Sequence, residues 1–281
     1  MQSVFKTDYH VHPDYSFDAA RDTIDEYCER AVTLGLREIC FTPHYTAVPS
    51  VVNKFGFVRQ KGEKVSVTSD WLGDYIGEVR EADAKYRGKG LRVFAGLEID
   101  YCESIHKFLK KRLIEEYKID YMLGSVHLVN DNLDIMIPSE AEYIFKNTSP
   151  SNFYDAYFGE IDRIIESGLF ASIAHIEGYR RYGVHHNPDY LDSGLIPYKH
   201  FEKIFTKLHD RNMTLEINLS LFRDGQNVTN PVEAVLKTAY DCGIRRVAIG
   251  SDAHRLKDLA ISVDSALDIC RKIGFGVFSL T

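Results

Sequence analysis

The sequence predicts an α/β fold in which seven parallel strands, each followed by a helix, form a closed or nearly closed barrel. Short apolar runs alternate with stretches of helical period along the chain, and this alternation favours parallel strands joined by right-handed crossovers. Neither a long repeat nor a Pro/Gly/Ser-rich linker interrupts the series within the 281 residues. We therefore expect a single domain spanning residues 1–281 rather than an open, doubly wound sheet.

The strands and helices follow one another in order. The predicted strands are Val4–Tyr9, Glu38–Phe41, Leu91–Ile99, Tyr121–Val126, Leu169–Ala174, Met213–Leu219 and Arg246–Ile249. The predicted helices are Thr23–Leu34, Asp70–Tyr86, Ile105–Glu116, Asn152–Glu166, Tyr198–Asp210, Pro231–Cys242 and Lys257–Lys272. Boundary signals support several of them, such as Asp22 before the first helix and Gly35, Gly168 and Gly243 just past helix ends. The segment Gly274–Leu280 could supply an eighth strand or only pack against the barrel.

The bulk composition is that of an acidic globular protein. Hydrophobic residues make up 44% and charged residues 27%, with a net charge of -7 and a pI near 5.9. Nothing in this balance indicates nucleic acid or an anionic membrane as a partner. No apolar stretch approaches the ~18 residues of a membrane span, and the N-terminus does not resemble a signal peptide. Five scattered cysteines without a CxxC pair are typical of reduced thiols, so we expect a cytoplasmic protein.

One segment, residues 45–69, is longer than a normal connection between strand and helix. It contains Lys54, Arg59, Lys61 and Lys64 against Glu63 alone, in a chain that is otherwise acidic. Long loops in compact domains often have a function, so this segment could be a lid that meets an anionic substrate. A solvated loop or hairpin is the alternative, and the sequence leaves both open.

Histidine and carboxylate residues lie at the predicted carboxyl ends of six of the seven strands. They are His10, His12 and Asp18 after the first strand, His44 after the second, Glu98 at the third, His127 at the fourth, His175 at the fifth, and Asp252 and His254 at the seventh. Barrel active sites are built at this edge. Residues two apart on a strand, such as His10 and His12, point to the same face. A carboxylate that closes an apolar strand, such as Glu98, is costly to bury unless a cation meets it. Nine residues at matching positions favour a metal site over scattered structural polar residues.

The donor set indicates which metals fit and how many. No cysteine accompanies the cluster in the sequence, so nitrogen and oxygen donors favour catalytic Zn²⁺, Mn²⁺ or Fe²⁺ over a cysteine-rich structural zinc site. Nine ligands exceed what one open catalytic ion needs, so we expect two to three divalent ions. Glu98 is a natural bridge because a carboxylate has two oxygens to share. Clustered ions suit displacement at phosphorus.

The segments HVH, SFD, TPHY, GLEID, GSVH, AHIEG and GSDAH, in this order from His10 to His254, resemble the polymerase and histidinol phosphatase (PHP) superfamily. The chain length, TPHY, GSVH and EINLS…R look most like its stand-alone histidinol-phosphatase branch. The resemblance implies a distorted (β/α)7 TIM-like barrel with three metal ions. It assigns His10, His12, Glu98 and Asp252 to the first ion, Glu98, His127 and His175 to the second, and Asp18, His44 and His254 to the third. Some family members have a histidine where this chain has Asp18.

The same resemblance implies arginines around the substrate phosphate. Arg180 in HIEGYRR and Arg223 in EINLSLFR match by local context. A guanidinium group suits a phosphate because its planar fork makes paired, charge-assisted hydrogen bonds. A surface arginine is the alternative, and we prefer it for Arg181. Glu177 and Asn218 could orient their neighbours or the substrate amine.

The expected reaction is hydrolysis of a small phosphate monoester, with L-histidinol phosphate as the leading candidate and Glu98, Asp252 and His254 as catalytic residues. A PHP-type phosphodiesterase or nuclease would use the same metals but needs a basic groove, which the acidic net charge disfavours. A phosphotyrosine phosphatase would carry an apolar slot for the ring. A degenerate barrel retained for binding would lack ligands, whereas all nine are present.

Overall fold

The computed structural model describes residues 5–130, 133–186 and 196–281, apart from the side chains of Val184 and His185. Within these ranges, eight parallel strands follow one another in one curled sheet, and we number them in chain order; a ninth, two-residue strand, His44–Tyr45, pairs with the third of them. They are β1 Thr7–Val11, β2 Glu38–Phe41, β3 Arg92–Asp100, β4 Tyr121–Ser125, β5 Ser172–Ile173, β6 Thr214–Asn218, β7 Arg246–Gly250 and β8 Gly276–Val277. Val4, the predicted start of the first strand, lies outside the described residues.

The barrel closes between β1 and the segment that follows the carboxyl end of β7. At its amino end, β7 pairs with β8 through Arg246 and Val247. The residues that follow the carboxyl end of β7 lie beside β1. There the His12 N–H donates to the Ala253 carbonyl at 2.9 Å, and the Asp252 N–H donates to the His10 carbonyl at 2.8 Å. The predicted (β/α)7 barrel is confirmed, and its distortion lies in a two-residue β5 and in the extra strand β8.

Helices connect the strands. The α-helices are Ile24–Leu34, Val52–Phe55, Leu72–Arg87, His106–Leu109, Pro138–Asn147, Pro150–Ser167, Arg180–His186, Tyr198–Asp210, Ser220–Arg223, Glu233–Asp241 and Val263–Ile273; Glu103–Ile105 and Leu256–Asp258 are 3-10 turns and Lys110–Glu116 is π-helical. The first helix shows how the sequence sets its bounds, because Thr23 and Glu26 form a reciprocal capping box and Gly35 ends it at φ 74°. Among the described residues, none of the helices has both the length and the apolar character that crossing a bilayer requires.

The last predicted helix, Lys257–Lys272, is shorter in the structure and begins at Val263. Two acidic residues from the beginning of the chain bind the backbone that should have been helical. Asp22 accepts from the Leu256 N–H at 2.7 Å, and Asp8 accepts from the Ala260 N–H at 3.0 Å. These long-range hydrogen bonds override the local helical pattern.

The amino end of the barrel is closed by the C-terminal segment. Phe278 and Leu280 of this segment pack against a hydrophobic cluster inside the barrel. The cluster consists of Tyr9, Cys40, Phe94, Tyr121, Leu123, Ala174 and Ala248. The Leu280 N–H donates to the Tyr9 hydroxyl at 2.9 Å, and Tyr9 in turn hydrogen-bonds Glu38. The segment after Gly274 therefore does both things that its sequence suggests, since it adds a short strand and packs against the barrel.

Residues 45–69 form a docked hairpin beside the carboxyl edge. The antiparallel strands Phe57–Gln60 and Glu63–Ser66 follow the short helix Val52–Phe55. The Arg59 guanidinium donates to the Asp14 and Phe17 carbonyls, both at 2.9 Å, and so ties the hairpin to the loop after β1. The segment contains a hairpin, as the sequence allows, and its helix reaches the site described next. Its action as a lid stays a prediction.

A second pair of antiparallel strands and a helix at this edge are absent from the sequence-based prediction. Leu128–Val129 pairs with Leu133–Asp134, and Pro138–Asn147 follows as a helix. Strands of two residues are too short to give a periodic pattern, which is why the sequence does not reveal them.

Candidate metal centre

The strand ends bring all nine predicted ligand residues together at one end of the barrel. His10 and His12 are fully buried at the end of β1, and Glu98 lies within β3 at 1% exposure. His44 sits in a two-residue strand whose register places it beside Glu98. Each of the nine side chains has a nitrogen or oxygen atom within 3.5 Å of another member.

One oxygen of Glu98 faces three histidines. Its Oε2 atom lies 2.9 Å from His44 Nδ1, 3.3 Å from His10 Nε2 and 3.5 Å from His12 Nε2. This oxygen is buried, yet none of the described residues gives it a hydrogen bond of acceptable geometry. An orphaned carboxylate oxygen among converging imidazole nitrogens is the arrangement that a cation between them would complete.

The other oxygen of Glu98 faces two more histidines. Its Oε1 atom lies 2.9 Å from His175 Nε2 and 3.3 Å from His127 Nε2, and it accepts a hydrogen bond from the Ser125 hydroxyl at 2.6 Å. The two imidazole Nε2 atoms are 3.4 Å apart. Glu98 therefore stands between two groups of histidines, which is the position of a bridging carboxylate.

Asp252 and Asp18 join the remaining histidines. Asp252 Oδ1 lies 3.3 Å from His254 Nδ1 and 3.4 Å from His12 Nε2. Asp252 has a left-handed backbone with φ 55°, a conformation that aspartate tolerates better than most residues. Asp18 Oδ2 lies 3.3 Å from both His44 Nε2 and His254 Nε2, at the more exposed side of the cluster.

The inner nitrogens of three histidines are oriented by partners on their outer nitrogens. His10 Nδ1 lies 2.7 Å from Glu216 Oε1, and His12 Nδ1 lies 3.0 Å from the Ser16 hydroxyl. His127 Nδ1 lies 3.0 Å from Asp100 Oδ1. A proton held on each Nδ1 leaves the Nε2 lone pair aimed into the cluster, as metal-ligating histidines require.

The protonation of the cluster follows from its crowding. Burial raises the pKa of Glu98, but the adjacent His10, His127 and His44 outweigh burial and hold this pKa well below its usual range. Burial and the neighbouring His254 and His44 hold the pKa of His12 well below its usual value. Burial lowers the pKa of His44, but Asp18 and Glu98 raise it to about 10. Protons on histidines thus balance the carboxylates, and divalent cations held by the same atoms would displace those protons.

The donor chemistry fits divalent metal ions. Among the described residues, three groups of three side chains have ligand atoms within 4.8 Å of one another: His12, His44 and His254; His10, His12 and Glu98; and His44, Glu98 and His127. All of these donors are nitrogen or oxygen, which suits Zn²⁺, Mn²⁺ or Fe²⁺. These groups differ from the three ligand sets expected from the sequence. His12 and His44 each belong to two of the observed groups, whereas each belongs to only one expected set.

Seven of the nine residues line one cavity of about 370 Å³, and the other two, His10 and His12, lie buried behind it. Phe55 and Lys54 of the hairpin segment form part of the wall, as do Asp134 at the end of the second strand pair and Met136 just after it. Burial raises the pKa of the Asp134 carboxyl. This volume lies within the range of small-molecule sites.

The arginines are arranged differently from the expectation. Arg181, which we expected at the surface, lines the cavity. Arg180 is instead paired with the buried Glu177, with Nε 2.6 Å from Oε1. Arg223 donates to the Asp252 carbonyl at 2.6 Å and, with Arg181, lines a second depression that shares His254 with the cavity. Phosphate contact by Arg180 stays a prediction, and the structure gives its guanidinium another partner.

The family follows from this site together with the sequence. The profile of the PHP domain matches residues 8–220. The chain belongs to the PHP domain family. The matched range ends before Asp252 and His254, and the distances above connect both residues to the cluster.

Similar proteins span nearly the whole PHP chain. It is 25% identical over 271 residues to a protein of Deinococcus radiodurans named "Probable histidinol-phosphatase", covering 95% of this chain and 93% of that protein. It is 24% identical over 278 residues to the "Histidinol-phosphatase" of Lactococcus lactis, covering 96% and 92%. The crystal structure of histidinol phosphate phosphatase from Lactococcus lactis, complexed with zinc, L-histidinol and phosphate, has a TM-score of 0.76 at 21% identity, covering 98% of this chain and 96% of that chain. At this identity the likeness shows a shared fold.

The sequence-based reasoning missed the residues that support the PHP site from outside. Glu216 lies on β6, the one of the seven predicted strands that carries no predicted ligand. Its Oε1 atom lies 2.7 Å from His10 Nδ1, and its Oε2 atom accepts from the His175 N–H at 2.7 Å. Asp100 Oδ1 lies 3.0 Å from His127 Nδ1, and Asp100 Oδ2 accepts a hydrogen bond from the Thr46 hydroxyl at 2.6 Å. Charged residues inside the apolar strands TLEIN and GLEID were the available signal, because a buried carboxylate needs a partner.

Proposed function

We propose that this PHP protein is a metal-dependent phosphomonoesterase that hydrolyses L-histidinol phosphate to L-histidinol and phosphate. The observation that carries the proposal is Glu98, which is buried between five histidines with one oxygen lacking a hydrogen bond among the described residues. The names of the similar proteins support the substrate, since they are histidinol-phosphatases. The Lactococcus lactis enzyme, whose crystal structure holds zinc, L-histidinol and phosphate, shares the fold.

The proposed centre holds two to three divalent ions. His10, His12, Glu98 and Asp252 would hold the first, Glu98, His127 and His175 the second, and Asp18, His44 and His254 the third. When bound, such ions polarise phosphoryl oxygens and lower the pKa of water. Glu98, Asp252 and His254 are the proposed catalytic residues, with Glu98 shared between ions.

The chain's own residues would position the ester and balance its charge. Arg181 lies in the cavity wall and Arg223 lies beside Asp252, so both can meet a phosphate that reaches His254. Glu216 and Asp100 hold the His10 and His127 rings in place, which keeps the reacting geometry rigid. Hydrolysis forms a bond from phosphorus to the water oxygen, breaks the ester bond and transfers a proton to the leaving alkoxide.

A panel of four substrates tests the proposal. Protein reconstituted with Zn²⁺ or Mn²⁺ is assayed with L-histidinol phosphate, a nucleoside monophosphate, phosphotyrosine and bis-p-nitrophenyl phosphate. We expect the highest kcat/KM with L-histidinol phosphate. A preference for the diester would overturn the monoesterase proposal in favour of a phosphodiesterase, and a preference for phosphotyrosine would replace the substrate.

A further inference from the structure

Five of the nine cluster residues come from two segments at opposite ends of the chain. Strand β1 and the residues after it carry His10, His12 and Asp18, and the loop after β7, residues 251–260, carries Asp252 and His254. This loop is largely irregular, so contacts from outside it decide where its two ligands lie. The relative position of the two segments therefore determines whether their ligands can share ions.

Asp8 holds the loop at both of its ends. The side chain is 1% exposed and lies in β1, two residues before His10. Its Oδ1 atom accepts from the Ser251 N–H at 2.9 Å and from the His10 N–H at 3.3 Å, and its Oδ2 atom accepts from the Ala260 N–H at 3.0 Å. One buried carboxylate therefore connects the strand that carries His10 with the first and last residues of the loop after β7.

The backbone of the loop is strained at the points that Asp8 restrains. Asp252, next to Ser251, has φ 55°, and Ala260 has φ 54°. Left-handed backbone is disfavoured for residues that have a β-carbon, and alanine has no polar side chain to compensate. Such a conformation persists only where the surrounding structure holds it. The hydrogen bonds from Ser251 and Ala260 to Asp8 are contacts of this kind.

The middle of the loop is held by the segment that carries Asp18. The Ala20 N–H donates to the His254 carbonyl at 2.8 Å, and Asp22 Oδ2 accepts from the Leu256 N–H at 2.7 Å. Contacts at its ends and its middle thus fix the loop against β1 and the residues after it.

We infer that Asp8 is a positioning residue of the metal centre, which sets the arrangement of the ligands on β1 relative to those on the loop after β7. The inference rests on the proposed function, in which the first and third ions each take ligands from both segments. The second ion, held by Glu98, His127 and His175, takes none from either. Loss of Asp8 therefore weakens the first and third ions and spares the second.

The test compares metal binding in wild-type protein and in Asp8→Asn. The variant keeps the size of the side chain, but an NH₂ group replaces one carboxylate oxygen, so one end of the loop loses its hydrogen-bond acceptor. Both proteins are loaded with Zn²⁺ and dialysed against chelators of graded affinity, and the metal that remains is measured. We expect the affinity of the first and third ions to fall about 10- to 100-fold, as for other residues that orient metal ligands. The affinity of the second ion should equal that of wild type.

Asp100→Asn is the matched counterpart, because Asp100 is also buried and lies 3.0 Å from Nδ1 of His127, a proposed ligand of the second ion. It should weaken the ion that Asp8→Asn spares and spare the ions that Asp8→Asn weakens, so each ion is identified by its response. Asp264→Asn removes an exposed carboxylate that pairs with Lys6, and it should change the affinity of no ion.

Co²⁺ in place of Zn²⁺ reports the arrangement of the ligands, because its visible absorption depends on coordination geometry. The absorption from the first and third ions should differ between Asp8→Asn and wild type. A residue that contributes only to the stability of the fold would leave this absorption unchanged. If Asp8→Asn does not fold, the same measurements are made with Ala260→Gly added, because glycine adopts a left-handed backbone without strain.

The outcomes separate this inference from the function on which it rests. Equal weakening of all ions in Asp8→Asn, weakening of none, or a Co²⁺ spectrum like that of wild type overturns the positioning role while leaving the metal centre intact. Failure of both Asp8 variants to fold also overturns it, because the barrel itself would then require Asp8. Wild-type protein that retains no metal overturns the proposed function itself.

Discussion

Gly250 on β7 lies so close to Glu216 on β6 that a β-carbon at position 250 would come within 2.1 Å of Glu216 Oε1. The same β-carbon would lie 2.5 Å from His10 Cβ. Glu216 Oε1 is the atom that holds His10 Nδ1 at 2.7 Å. The absence of a side chain at Gly250 is therefore what allows the buried contact between Glu216 and His10 to form.

Gly250→Ala should weaken metal binding without unfolding the barrel. The new methyl group has to displace Glu216 or His10, both of which are buried, and His10 then loses its orientation. Loss of such an outer partner typically costs about 10- to 100-fold in metal affinity. Competition with a chelator of known affinity measures the change.

Gly159→Ala is the matched control for this substitution. Gly159 lies in the helix Pro150–Ser167, and a β-carbon there would meet no atom within 4 Å. Replacing a helical glycine with alanine stabilises by roughly 0.5–1 kcal/mol. Metal affinity in the control should equal that of wild type, and an unchanged affinity in Gly250→Ala as well would contradict the role assigned to Glu216.

Glu98→Gln should remove more than one ion. The two oxygens of Glu98 face different groups of histidines, Oε2 toward His44 and Oε1 toward His175. The amide of glutamine has an NH₂ group in place of one carboxylate oxygen, so one of the two groups of histidines loses the oxygen ligand that it shares with the other. The substitution also removes the negative charge that both ion sites share. Metal analysis after reconstitution should show a loss greater than one equivalent relative to wild type, and a full complement would refute the bridging role.

The neighbouring arginines should give opposite phenotypes. Arg181→Ala removes a cation from the cavity wall, so we expect weaker inhibition by inorganic phosphate with unchanged stability. Arg180→Ala leaves Glu177 buried without its partner, so we expect a loss of about 3 kcal/mol in the free energy of unfolding. Denaturant melts and phosphate inhibition constants distinguish them. If phosphate binding is weaker in Arg180→Ala but not in Arg181→Ala, then Arg180 contacts the phosphate, as expected from the sequence.

Arg223→Ala tests the other predicted phosphate contact. Arg223 donates to the Asp252 carbonyl and faces the depression next to His254, so a phosphate at the cluster can share its guanidinium. Loss of a desolvated contact of this kind costs on the order of 2–4 kcal/mol in phosphate binding. Kinetics identical to wild type would contradict the assignment.

The nine cluster residues could be predicted because the barrel imposes a rule on the sequence. Parallel strands place their carboxyl ends at one edge, so a histidine or carboxylate that closes an apolar run is aimed at the site. The choice between Arg180 and Arg181 obeys no such rule. Both begin the helix Arg180–His186, where one position corresponds to a rotation of roughly 100°. Contacts from Glu177 and Asp224, distant from the strand pattern, decide which arginine faces the cavity.

The breaks in the predicted helices have a similar cause. The pattern Lys257–Lys272 is helical by itself, but Asp8 binds the Ala260 N–H across 252 residues of sequence. The predicted helix at Pro231–Cys242 begins only at Glu233, and the N–H of the preceding Val232 donates to Glu177 Oε2 at 2.7 Å. Local periodicity carries no information about such distant acceptors, so boundaries near the site are set by tertiary contacts.

Removal of the metal ions should lower the melting temperature. The buried carboxylates and imidazoles of the cluster bind cations in the folded chain and lie far apart in the unfolded one, so bound metal stabilises the native state by mass action. Free metal at 100 times the Kd contributes about 2.7 kcal/mol for each site. For a chain of this size each kcal/mol shifts Tm by about 2–4 °C, so a chelator should lower Tm by roughly 5–10 °C for each ion that it removes. Glu98→Gln, which holds fewer ions, should show a smaller shift between its metal-loaded and chelated forms. Equal Tm values for wild-type protein with and without a chelator would mean that these side chains hold no metal in the folded protein.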